Sequence, residues 1–131
     1  MNAYERLLKY VVIRTPSNEE SETTPSSQCQ FDLANVLKKE MEELGICDVT
    51  LTDTCFLYGK IPATPGCENA PAIGFIAHMD TVSDYCDHDI KPMITENYDG
   101  EALALGESEL VLSPEMFPHL KSLKGRTLIT S

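Results

Sequence analysis

The chain has no tryptophan, and aromatic residues make up only 7% of it. Cations are scarce as well, with 10 Lys and Arg against 21 Asp and Glu, for a net charge of −11. That deficit argues against a nucleic-acid partner, because phosphate contacts need clustered Lys and Arg. It argues equally against binding to an anionic membrane surface. No apolar run approaches the roughly 20 residues that cross a bilayer. The amino terminus also lacks a secretory signal, since Glu5, Arg6 and Lys9 interrupt the first 13 residues before any apolar stretch develops. The five cysteines (Cys29, Cys47, Cys55, Cys67 and Cys86) form no C-x-x-C pair and are odd in number. With no signal for export they read as reduced thiols, and the expected compartment is the cytoplasm. A phosphate-cradling glycine motif, an internal repeat and a low-complexity tract are all missing.

What is present fits one domain with a modest core. The chain has 131 residues, of which 42% are hydrophobic and 24% charged. Helical and extended patterns alternate along it. Tyr4, Leu7, Leu8, Val11 and Val12 fall on one stripe of a short helix. Residues 15–26, with Pro16 and Pro25, read as a polar loop. Ser27-x-x-Gln30 has the form of a capping box ahead of Phe31, Ala34, Leu37, Met41 and Leu44 at helical spacing, and Gly45 supplies a stop. Residues 49–52 and 56–61 are rich in β-branched and aromatic side chains and predict a hairpin turning near Asp53-Thr54, or two adjacent strands. Residues 62–71 form a loop by composition.

Ala72-Ile73-Gly74-Phe75-Ile76-Ala77 is continuously apolar and predicts a central strand covered on both faces. Residues 83–89 read as an exposed acidic loop and Met93-Ile94-Thr95 as a short strand. A helix is expected to start near Pro118, and residues 127–130 to form a last strand. The expected fold is therefore α/β.

The chemistry concentrates just past the apolar run, at His78 and Asp80. Two residues apart at the end of a strand, their side chains leave the same face. Ligands of open α/β sheets bind at the carboxyl ends of strands. A neutral imidazole there can hold zinc, and a carboxylate taking the other ring N–H fixes the tautomer and raises basicity. Two residues do not make a site, since a catalytic zinc takes at least three protein ligands. The spacing alone equally suits an Asp capping the next loop beside a His satisfied by backbone. Cys86-Asp87-His88-Asp89 offers further donors, but adjacent side chains diverge, so it reads as a solvated loop. His119 reads as structural or exposed. Met41, Met93 and Met116 read as core filler, and Cys55 and Cys86 lack a paired base for nucleophilic work.

The run from Ala72 through His78-Met79-Asp80-Thr81 resembles the first metal-ligand motif of the zinc-dependent aminopeptidase/deacylase superfamily. Further segments are similar to the peptidase T (tripeptide aminopeptidase) family: Tyr4-Glu5-Arg6-Leu7-Leu8, Glu96-Asn97-Tyr98-Asp99-Gly100, Ala102-Leu103-Ala104-Leu105-Gly106, Ser113-Pro114-Glu115-Met116-Phe117-Pro118 and Gly125-Arg126-Thr127-Leu128-Ile129-Thr130. They follow the same order over nearly the whole chain. The H-x-D motif is shared widely, whereas the segments at 96–98 and 113–118 are more specific.

The resemblance implies a hydrolase with two zinc ions that removes the first residue of tripeptides. His78 would be a metal ligand and Asp80 the catalytic residue that orients it. It further implies that residues 1–131 are the amino-terminal part of a catalytic domain, a partial three-layer α/β/α structure. Its mixed, largely parallel central sheet would be incomplete at the carboxyl end, without the inserted lid and dimerisation domain. The other ligands and the general base have no match here, so these 131 residues are expected to be inactive alone. Small peptides are the expected substrates. A homodimer is expected of the longer protein, and self-association through uncovered strand edges is expected of this chain. Two other readings stay open: a dipeptidase, carboxypeptidase or N-acyl amino-acid deacylase sharing H-x-D, and a noncatalytic α/β module with structural His78 and Asp80.

Overall fold

The computed structural model describes residues 1–86, 89–106 and 108–130. They divide into two units, Ile13–Asp89 and Met1–Val12 with Ile90–Ser131.

The unit Ile13–Asp89 is organised by helix α2 (Gln30–Glu43), which packs on an antiparallel hairpin of β1 (Cys47–Leu51) and β2 (Leu57–Lys60). Of the positions expected to face inward, Ala34 is buried and Phe31, Leu37 and Met41 are half-buried, whereas Leu44 is exposed; Leu33, outside the expected set, is buried as well. Its end is a Schellman motif: Gly45 sits at φ 76, Gly45 N–H donates to Glu42 O at 3.0 Å, and Ile46 N–H donates to Met41 O at 3.0 Å. A Cβ would be strained at that left-handed residue, which is why glycine works as the stop. Salt bridges from Lys38 to Glu42 and Lys39 to Glu43 run along the exposed side, one turn apart.

The start of α2 departs from expectation. Ser27 offers its carbonyl to Gln30 N–H at 3.2 Å, and the Gln30 amide turns away from the helix end to Pro16 O and Ser26 Oγ. In the hairpin, Asp48 at φ 54 lies within the register shift between Cys47 and Thr50, as in a bulge. The turn is closed by Thr52, whose N–H donates to Phe56 O and whose Oγ1 accepts from Phe56 N–H, both at 2.9 Å. Gly59 leaves room for side chains from the end of α2 and the residues after it. A Cβ there would lie 2.3 Å from Met41 Cε and 2.6 Å from Ile46 Cγ2.

In the other unit, α1 (Ala3–Tyr10) forms where a short helix was expected, with the Glu5 carboxylate accepting from Asn2 N–H at its start, but its stripe is not buried: Tyr4, Leu7 and Val12 are exposed and the helix ends before Val11. The helix α3 (Ser83–Cys86), which belongs to the first unit, is a single turn where a loop was expected. Strand β3 (Met93–Thr95) pairs antiparallel with β6 (Leu128–Thr130), and β4 (Leu103–Ala104) with β5 (Val111–Leu112). A 3-10 helix covers Pro118–Leu123. Tyr98 is buried, its N–H donating to Arg126 O and its carbonyl accepting from Gly125 N–H. Its hydroxyl bonds to Glu101 O. Leu120 and Pro114 are buried in this unit as well.

The expected largely parallel central sheet is not formed. Among the described residues the strands make three separate two-stranded antiparallel sheets, and the one parallel pairing is an isolated bridge between Pro16 and Thr81. Residues 72–77 form no strand: Ile73 is 81% exposed, Phe75 96% and Ile76 102%. The physical reason is pairing. A central strand needs partners for its N–H and C=O groups on both edges, and no described segment offers them to this run. Apolar composition supplies the motive for burial without the partners. The three-layer α/β/α expectation falls with the sheet on which it depended.

Two outcomes follow. Gly59→Ala should destabilise the chain by about 1–3 kcal/mol in urea unfolding, because the new methyl overlaps Ile46 as well as the mobile end of Met41. Limited chymotrypsin treatment should cut first after Phe75. Initial cutting after Phe56 or Tyr58 in the paired hairpin would contradict the exposed, unpaired state of residues 72–77.

Candidate metal centre

His78 and Asp80 lie past the apolar run on backbone that is not a strand, so alternation does not bring them together as expected. The imidazole instead folds back on its own segment. His78 Nδ1 lies 2.8 Å from the Asp80 backbone oxygen and 3.2 Å from Asp80 Oδ1. A carbonyl and a carboxylate oxygen are both acceptors, so Nδ1 must carry the proton. In the neutral ring Nε2 then carries the lone pair, the state a metal ligand needs. The imidazole side chain is 84% exposed and that of Asp80 45%. A side-chain contact this open is worth little by itself, so its geometry has to come from the backbone.

That backbone is held by a segment the sequence presented as a polar loop. Thr81 N–H donates to Thr15 O at 2.9 Å, while Thr81 O accepts from Ser17 N–H at 2.9 Å and from Ser17 Oγ at 3.0 Å. Thr15 is 2% exposed. Gln30 is buried too and reaches Pro16 O at 3.4 Å and Ser26 Oγ at 3.3 Å, tying this segment to the start of α2. Sequence reasoning missed Thr15, Ser17 and Gln30 in this role. The available signal was the apolar Val11-Val12-Ile13 run leading into a β-branched Thr15. The Thr81 hydroxyl is buried with no hydrogen-bond partner among the described residues.

The fit to zinc is partial. His78 Nε2 suits one ligand position and Asp80 its outer partner. Among the described residues, however, no three His, Cys, Asp or Glu side chains come together as a metal site. Asp87 and His88, read above as a solvated acidic loop with Cys86 and Asp89, lie outside the described residues, as does the Cys86 side chain. His119 is exposed, edge-on to Phe117 at 6.3 Å between ring centroids. Cys55 is buried in the hairpin turn at φ 63, and burial pushes its thiol pKa up, away from the thiolate a nucleophile requires. Cys29, Cys47 and Cys67 are also free thiols. Met116, expected in the core, is 72% exposed, whereas Met41 and Met93 are half-buried.

Comparison with known proteins gives a consistent result. No family model matches the chain. It is 45% identical over 132 residues to a peptidase T of Alkaliphilus oremlandii, which covers 99% of this chain and 32% of that protein. It is 48% identical to a peptidase T of Desulfitobacterium hafniense and 43% identical to one of Bacillus cereus, each over 128 residues, 97% of this chain and 31% of the relative. The chain thus spans about a third of the length of the curated relatives it matches.

A lone imidazole with an outer carboxylate predicts weak zinc binding. Calorimetric titration of residues 1–131 should show no stoichiometric high-affinity zinc event, and tight one-to-one binding would reveal donors beyond those identified.

Proposed function

We propose that this chain, a homologue of peptidase T over nearly its whole length, carries part of the metal site of a zinc-dependent tripeptide aminopeptidase. His78 supplies one ligand through Nε2, and Asp80 is the partner that holds and orients it. The observation that carries this reading is the pair of acceptors facing Nδ1, which keeps the imidazole in the metal-binding tautomer. Bound zinc would supply an activated water and a polarised scissile carbonyl. This chain's own residues bind and orient. His78 would present its lone pair, and Asp80 would stabilise the positive charge that develops on the ring as it donates. The remaining ligands and the general base belong to the length of the relatives that this chain does not span. Substrates would be tripeptides that lose their first residue, handled in a reducing cytoplasm, and residues 1–131 alone would be inactive.

The contacts of His78 Nδ1 with its own segment also suit a second reading, a noncatalytic module in which His78 and Asp80 are structural. Activity separates the two. Residues 1–131 should replace the matched third of the Alkaliphilus relative and leave a zinc-dependent enzyme that hydrolyses tripeptides. In that chimera His78→Ala should reduce turnover to background, and Asp80→Asn should lower kcat/KM by about 10- to 100-fold. A correctly folded chimera with no tripeptide hydrolysis, or with full activity after His78→Ala, refutes the peptidase reading.

A further inference from the structure

We infer that residues 15–17 form a clamp that positions His78 through a single peptide plane, with Ser17 as a positioning residue. The inference rests on reading His78 as a metal ligand. Its basis is that two bonds described above meet in one rigid unit. The Asp80 carbonyl that accepts from His78 Nδ1 and the Thr81 N–H that donates to Thr15 O belong to the same peptide group, and a peptide group is planar.

Fixing the N–H therefore fixes the direction of the carbonyl, and with it the acceptor the imidazole finds. The chain of donors runs from His78 Nδ1–H to Asp80 O, and from Thr81 N–H to Thr15 O. Each bond polarises the next, so the Thr15 carbonyl makes the Asp80 carbonyl a better acceptor.

The following peptide is pinned as well. Thr81 O takes two donors from Ser17, the main-chain N–H at 2.9 Å and Oγ at 3.0 Å. With both its N–H and its carbonyl held, Thr81 cannot rotate either flanking peptide without breaking a bond. Asp80 Oδ1 sits on a side chain with free torsions, whereas the Asp80 carbonyl has none of its own once the plane is set. The shorter of the two contacts to Nδ1 is to the carbonyl, 2.8 Å against 3.2 Å. The clamp thus sets the ring through the backbone, and the carboxylate adds charge. Gln30 extends the support, its amide meeting Pro16 O between the two clamp residues.

The test uses the metal-free 131-residue chain, so its failure leaves the peptidase reading to stand or fall on the chimera. Two readouts are taken above the ordinary histidine titration range, about pH 8. They are the Thr81 amide exchange rate and the His78 tautomer from long-range nitrogen–proton NMR correlations, with the β1–β2 amide shifts as a check on folding. Wild type should show a protected Thr81 amide and predominantly the Nδ1–H form. Ser17→Ala should speed Thr81 exchange by roughly two- to tenfold, the factor carried by one lost hydrogen bond of ordinary net strength, and should shift the population toward Nε2–H. Ser17→Thr, which keeps the hydroxyl, should restore both. Gln30→Met should move both readouts the same way by a smaller amount with the hairpin shifts intact. Faster Thr81 exchange with an unchanged tautomer would show a merely structural clamp and overturn the inference. An unprotected Thr81 amide in wild type, or no response in either Ser17→Ala or Gln30→Met, would overturn it too.

Discussion

A pairing across 64 residues of chain underlies the candidate site, because Ser17, with its neighbour Thr15, meets Thr81 far along the sequence. Closing a flexible loop of that length costs about 3–4 kcal/mol in the logarithmic term alone. The three hydrogen bonds at Thr81 contribute about 0.5–1.5 kcal/mol each. These magnitudes are similar, so the contact is marginal unless the intervening chain is already compact. Helix α2 and the β1–β2 hairpin provide that, since they fold from neighbouring segments and shorten the loop left to close. Gln30, at the first position of α2, converts helix position into clamp position.

The dyad depends on this arrangement because it does little to hold itself. An imidazole 84% exposed beside a carboxylate 45% exposed is too well solvated for mutual attraction to impose one geometry. The left-handed residues show the same division of labour elsewhere. Asn97, Gly100 and Gly125 turn the backbone so that Tyr98 can exchange hydrogen bonds with residues 125 and 126. Such turns bring distant segments together with few buried side chains. Consistent with this, the apolar core described is small: Leu33, Ala34, Cys55, Tyr98 and Leu120.

Elements built from local rules were legible in the sequence. The short helix α1, the glycine stop of α2 and the hairpin at 47–60 depend on neighbours close in sequence, while the strand at 93–95 was legible from its composition although its partner, residues 128–130, is distant. Other elements that depend on distant partners were not. Residues 72–77 have the composition of a buried strand and none of its pairing, while β4 and β5 are too short, two residues each, to leave a pattern. Thr15 looked like loop because a single parallel bridge leaves no periodicity. His78 and Asp80 were visible by spacing and resemblance. The reason expected for their juxtaposition, strand alternation, is not the one observed, since the ring turns back onto its own backbone.

The two central bonds of the clamp, Thr81 N–H to Thr15 O and Ser17 N–H to Thr81 O, use main-chain atoms only. Most side-chain replacements at these positions would leave both in place, and proline alone removes a donor outright. The arrangement is therefore tolerant of sequence drift and hidden from motif searches that compare side chains. Its weak point is spacing. An insertion or deletion between Ser17 and Gln30 would shift the clamp relative to the helix that anchors it. Length in that loop is thus under tighter constraint than its polar composition suggests.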